Sequence, residues 1–176
     1  MKVISVPSVF SSLMRASLVF ALLWVSPIAP AQEGLETAQQ SSTAPVIYVV
    51  NFTADWCPNC KILDPALATA LMQVDGMPMQ AVSLDLTNAD TANAAFDRVN
   101  GTVLAGVYGD YIGLTGLAVM VAADSGEKLG CATRVMDVRG IAATIRSAVE
   151  TATVYPAGER PAPGFLCPPA NKKRRL

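Results

Sequence analysis

Residues 46–65, VIYVVNFTADWCPNCKILDP, place an apolar run, two cysteines separated by two residues and a helical pattern in direct succession. Val46, Ile47, Tyr48, Val49, Val50 and Phe52 are β-branched or aromatic, the composition of a strand buried on both faces in the middle of a sheet. From Cys60 the period changes: Leu63, Leu67, Ala70, Leu71 and Val74 fall on one helical face. The cysteines are therefore expected at a strand-to-helix junction. Cys57 would lie at the helix N-terminus, where unpaired N–H groups and the macrodipole favour an anion, so its thiol should ionise readily. Cys60, one turn on, is placed to attack a mixed disulfide formed at Cys57 and release the partner. The chemistry this predicts is two-electron thiol–disulfide exchange.

With these residues in view, the chain resembles the thioredoxin superfamily, whose signature is an aromatic residue, CxxC, a basic residue and a proline five positions after the second cysteine. Here those are Trp56, Cys57, Pro58, Asn59, Cys60, Lys61 and Pro65. Ala54, Asp55, Trp56 and Cys57, with the later run SLDLTNAD, look most similar to the periplasmic electron-transfer (C-terminal) domain of the thiol-disulfide interchange protein DsbD. The resemblance spans roughly Pro45 to Glu150. It implies an α/β, thioredoxin-like fold: a central mixed sheet flanked by helices, close to the minimal β-α-β-α-β-β-α core. It implies an exported oxidoreductase that exchanges electrons with the cysteines of other envelope proteins, needs no cofactor, and draws on protein thiols or a membrane electron donor. Trp56 should shield the sulfurs, Asp55 tune the local charge, and Pro65 bend the helix beneath them.

The flanks fit export. Residues 1–31 carry Lys2 and Arg15, no acid, the apolar run Ala16 to Val25 and a small-residue end, which reads as a signal peptide cleaved after Ala31. The apolar run is about half the ~20 residues a spanning helix needs, so no transmembrane segment is expected after cleavage, and a periplasmic or secreted location follows. Residues 32–44 are polar and aperiodic, a linker. The domain is expected over 45–152: a second, parallel strand at Met79–Leu86; a helix from Thr91 to Val99 with Ala92, Ala95, Phe96 and Val99 inward; a hairpin of Leu117–Ala123 and Lys128–Val135 turning at Asp124–Gly126; and a last helix from Val138, capped by Asp137. Residues 101–116, with five glycines, Tyr108 and Tyr111, take no firm element and read as packing and turns. Residues 153–176 form a proline-rich basic tail, expected to be disordered.

Charge divides along the same lines. Residues 32–155 carry thirteen acids and six bases, a net of −7, and residues 156–176 five bases and one acid, a net of +4. An acidic fold of this kind repels phosphates, which argues against nucleic-acid binding. The chain has no histidine, and two adjacent zinc-type cysteine pairs are absent, which argues against a metal site.

Three departures from the family pattern bear on mechanism. The buried carboxylate that thioredoxins carry six residues before the first cysteine is Asn51 here. An amide cannot take the proton of the second thiol, so Asp55 or solvent is expected to serve. The proline that faces the CxxC in the family is replaced, matching YIGLTGLAVMV to the GxP run, by Thr115, whose preceding bond should be trans. Pro58 cannot donate an N–H toward the sulfur whereas Asn59 can offer an amide, so the direction of redox bias stays open. Cys131 reads as a buried small residue, and a Cys131–Cys167 disulfide stapling the tail to the sheet is the expected alternative to a free Cys167 that pairs with another chain. A reading from a different class is a binding module in which Cys57 and Cys60 form a permanent disulfide or hold a soft metal such as Cu(I).

Overall fold

A computed structural model describes residues 44–164 and 167–170. The signal-type segment 1–31 and all of the linker but its last residue lie outside the described residues. The elements run β1 (Ile47–Thr53), α1 (Cys60–Gln73), β2 (Met79–Asp85), α2 (Ala89–Val99), α3 (Ala105–Tyr111), β3 (Leu117–Ala122), β4 (Lys128–Thr133) and α4 (Val138–Val154). The sheet has the order β2-β1-β3-β4, with β1 parallel to β2 and antiparallel to β3, and β3 antiparallel to β4. The apolar run 46–52 thus takes the interior position its composition requires.

Alternation along β1 sorts the molecule into two cores. Ile47 and Val49 face α1 and α4, packing with Leu63, Leu67, Met120, Ile141 and Ile145. Val50 and Phe52 face the other way, with Leu84, Val99, Val107, Tyr108, Tyr111 and Cys131. β3, all six residues buried, lines both. α2 starts where the sequence supplies a cap: the Asn88 side chain accepts from the amides of Asp90 and Thr91, both at 3.0 Å, and the Thr91 hydroxyl accepts from the Asn88 amide at 3.1 Å. Asp137 caps α4 by accepting from the Gly140 amide at 2.7 Å.

Three stretches differ from the sequence reading. Residues 101–116 contain the helix α3 despite its two glycines, because tertiary burial outweighs poor propensity. Tyr108 donates its hydroxyl to the Ala92 carbonyl at 2.8 Å, and Tyr111, fully buried, stacks edge-on against Phe52 with centroids 5.9 Å apart. Burial raises both phenols above their ordinary pKa. Phe96, expected inward, is 44% exposed and instead lies over Tyr108, 5.8 Å between centroids.

The third is the tail. Its described residues are not disordered but return to the β3–β4 hairpin. Arg160, its side chain 4% exposed, donates to both Asp124 carboxylate oxygens at 3.0 and 2.6 Å and to Glu127 at 2.6 Å. Beyond it Cys167 is joined by a disulfide to Cys131, and the Tyr111 hydroxyl donates to the Pro168 carbonyl at 3.0 Å. The composition reads as disorder because proline and charge dominate it; one bidentate ion pair and one disulfide supply what apolar burial does not.

Candidate functional site

Residues 54–59 join β1 to α1. The Cys57 amide donates to the Ala54 carbonyl at 3.1 Å, turning the chain, and the Asn59 carbonyl accepts from Ile62 and Leu63 at 3.2 and 2.9 Å to open the helix. Cys57 and Cys60 are joined by a disulfide with their Cα atoms 5.3 Å apart. The Cys60 amide, in the first turn of α1, donates to Cys57 Sγ at 3.1 Å. That donor and the helix axis behind it would hold negative charge on Cys57 Sγ once the bond is reduced. The amide that reaches the sulfur therefore belongs to Cys60; the side chain of Asn59 makes no capping bond, and Pro58 and Asn59 are both exposed. Cys57 and Cys60 are each 2% exposed and pack with Ala54.

Trp56 is 60% exposed, and its position is fixed by Thr87. Its indole N–H donates to the Thr87 carbonyl at 2.9 Å, and the Asp55 amide donates to the Thr87 hydroxyl at 3.0 Å. Thr87 in turn donates its amide to Asp85 at 2.8 Å, and its hydroxyl and amide together hold the Asp85 carboxyl below the usual carboxylate range. Asp55, Lys61 and Pro65 are exposed. Pro65 stands in the second turn of α1, where it removes the helical bond to the Lys61 carbonyl.

Gly116, one position past Thr115, lies against the dithiol turn. Its φ is +74°, and a Cβ there would meet the Asn59 Cβ at 2.5 Å and the Cys60 amide nitrogen at 3.4 Å. The Gly116 amide donates to the Phe52 carbonyl at 2.8 Å, carrying the β1–β3 pairing up to the cysteines. Both the positive φ and the required donor exclude proline. Thr115 is half-buried beside it. The glycine-rich run hid this, since several glycines there compete for one structural position.

Sequence reading also missed Asp64. It lies one turn after Cys60, on the strand-facing side of α1, where it accepts from Asn51 Nδ2 at 3.0 Å and from the Thr53 hydroxyl at 2.7 Å. The Cys60 sulfur is 4.0 Å from the carbonyl of Phe52, the residue between those two donors. An acid flanked by the inward leucines Leu63 and Leu67 was the available signal. A cavity of about 160 Å³ opens beside it, lined among others by Asn51, Asp64 and Ser83. Asn51 Oδ1 is buried without a hydrogen-bond partner.

Among the described residues no cluster of three or more His, Cys, Asp or Glu is arranged to hold a metal, and no helix is long and apolar enough to cross a membrane. Cys131 and Cys167, Cα atoms 5.1 Å apart, lie in the opposite core from α1, away from the Cys57–Cys60 turn.

The fold these elements make is thioredoxin-like, and a family model described as Thioredoxin matches residues 34–101. Among solved structures, the chain is similar to a thioredoxin-related protein from Neisseria meningitidis serogroup B, at 19% identity and a TM-score of 0.42, over 65% of this chain and 90% of that one. It is similar to a thiol:disulfide interchange protein of the thioredoxin family from Chlorobium tepidum, at 17% identity and 0.41, over 58% and 79%. A third is Trxlp from Edwardsiella tarda, at 15% and 0.39, over 57% and 82%. No curated protein sequence matches the chain significantly.

Proposed function

We propose that this chain is an exported thiol–disulfide oxidoreductase in which Cys57 is the attacking thiolate and Cys60 the resolving thiol. The observation that carries the reading is the Cys60 amide on Cys57 Sγ at the mouth of a helix, a donor aimed where the thiolate charge must sit. The reduced pair would attack a disulfide on an exported protein through Cys57; Cys60 would then displace the partner, leaving it reduced and the pair oxidised. Trp56, pinned to Thr87 and exposed, supplies an apolar edge beside the sulfurs for the incoming chain. The resemblance to the DsbD domain favours the reducing direction, with electrons drawn from a membrane donor; the runner-up is an oxidant that donates its disulfide.

The low exposure of both cysteines favours one competing reading, a permanent disulfide in a binding module. Equilibrating the protein processed after Ala31 with glutathione and dithiothreitol buffers, beside a Cys57→Ser control, separates the two. Reversible two-electron exchange is expected, and its potential sets the direction. A pair that opens only in denaturant overturns the oxidoreductase.

A further inference from the structure

We infer that Asp64 is the base that takes the proton of the Cys60 thiol when Cys60 resolves a mixed disulfide at Cys57. The inference rests on the oxidoreductase reading and adds a residue to it. Resolution needs a thiolate at Cys60, yet Cys60 is 2% exposed, points at a backbone carbonyl rather than a cation, and receives no helical amide of the kind that favours charge on Cys57. A burial of that kind keeps a thiol protonated, so a nearby acceptor is required. Asn51, in the strand beneath, is neutral, and its Nδ2 is committed to Asp64. Asp55 is exposed.

Asp64 satisfies the geometry from the helix. Side chains four apart on a helix have Cβ atoms about 5–6 Å apart on one face, a span that one bridging water crosses. Both side chains descend on the same three strand residues: Asp64 on Asn51 and Thr53, the Cys60 sulfur on Phe52 between them. Two neutral donors fix the carboxyl group, and no salt bridge among the described residues involves it. The adjoining cavity, lined also by Asn51 and Ser83, has room for water to carry the proton onward.

The step balances as follows. Asp64 takes the Cys60 proton while Cys60 Sγ bonds to Cys57 Sγ; the Cys57–partner S–S bond breaks, the partner leaves as thiolate with the electron pair, and solvent protonates it. The partner sulfur is reduced and the cysteine pair oxidised. In the opposite direction the protonated Asp64 returns the proton to Cys60 as it departs.

Stopped-flow reaction of the reduced protein with dithiobis(nitrobenzoate) reads the two steps apart, since attack by Cys57 releases one coloured thiolate and resolution by Cys60 a second. The Asp64→Asn variant should keep the first phase and slow the second by about 10²-fold at neutral pH, the lower end of what a positioned base contributes. Its second phase should climb about tenfold per pH unit as hydroxide replaces the base, where the parent protein is flat. Asp64→Glu should restore the flat profile. Thr53→Val removes a hydrogen bond to the carboxylate but keeps the base, so a structural role would make it mimic Asp64→Asn; we expect it to remain flat. A second phase unaltered in rate and pH profile by Asp64→Asn overturns the inference while leaving the oxidoreductase intact. Absence of the first phase in the parent protein sinks the oxidoreductase reading and this inference together.

Discussion

Two disulfides in one small fold occupy opposite mechanical situations. Cys57–Cys60 closes a separation of 3 residues at the head of α1, and Cys131–Cys167 a separation of 36, between β4 and the tail. In the chain-entropy account the long loop contributes about 4 kcal/mol and the short one under about 2 kcal/mol. The first bond can therefore be broken at little cost to the fold, and it has an amide waiting for the resulting charge. The second lies with Cys131 fully buried in an apolar cluster, where a thiolate would have nothing to stabilise it. On the proposed function, one bond serves exchange and the other retention.

The sharpest way to break that contrast is to remove one sulfur from each. Cys57→Ser should abolish exchange in glutathione buffers, since a hydroxyl is not ionised near neutral pH, while denaturant unfolding of the folded domain shifts by no more than about 2 kcal/mol. The double change Cys131→Ala with Cys167→Ala should do the reverse, costing about 4 kcal/mol in the same unfolding experiment with exchange retained. If both pairs open at the same dithiothreitol concentration in the native protein, the division of roles is wrong.

Gly116→Ala tests the joint between sheet and dithiol turn. The added methyl meets Asn59 at a backbone angle that favours glycine, so a loss of about 1–3 kcal/mol is expected. Because the strain falls on Asn59 and Cys60, the reduction potential should move as well, which Cys131 and Cys167 changes should not cause.

The smallest effect concerns the tail's ion pair. The Arg160 guanidinium holds the Asp124 carboxyl below its ordinary value. A carboxyl depressed on folding contributes its stability above its unfolded pKa and loses it as pH falls through the folded one. Asp124 is 55% exposed, so solvent screening limits the contribution to about 0.5 kcal/mol. Asp124→Asn should therefore differ slightly from the parent in unfolding at pH 7, and the difference should shrink as pH falls below the ordinary carboxylate range and through the lowered folded value.

The same contrast describes what the sequence discloses. The dithiol turn was legible because its determinants are local: a β-branched run, a change of period and two cysteines within one turn. Asp137 announced its helix for the same reason. What escaped depends on contacts between distant segments. Thr87 pins Trp56 from 31 residues away, and Gly116 meets Asn59 only once β3 pairs with β1. The tail read as disordered because its anchors, Asp124 and Glu127, belong to a hairpin 33 or more residues earlier. Asp64 was hidden by category: an acid in an amphipathic helix reads as solvent-facing until the strand beneath it proves polar.

β1 carries a form of parity. Asn51 points toward α1 and Asp64, whereas Phe52, its neighbour, points toward Tyr111, whose hydroxyl holds the tail at Pro168. Inserting or deleting one residue between 47 and 53 would exchange the two sets, sending the amide into the apolar core and the phenylalanine into the polar niche beside Cys60. Substitutions can adjust the proton path and the tail anchor one at a time, but a change of length corrupts both at once, so this strand is the place where the chain can least accommodate a shift in reading.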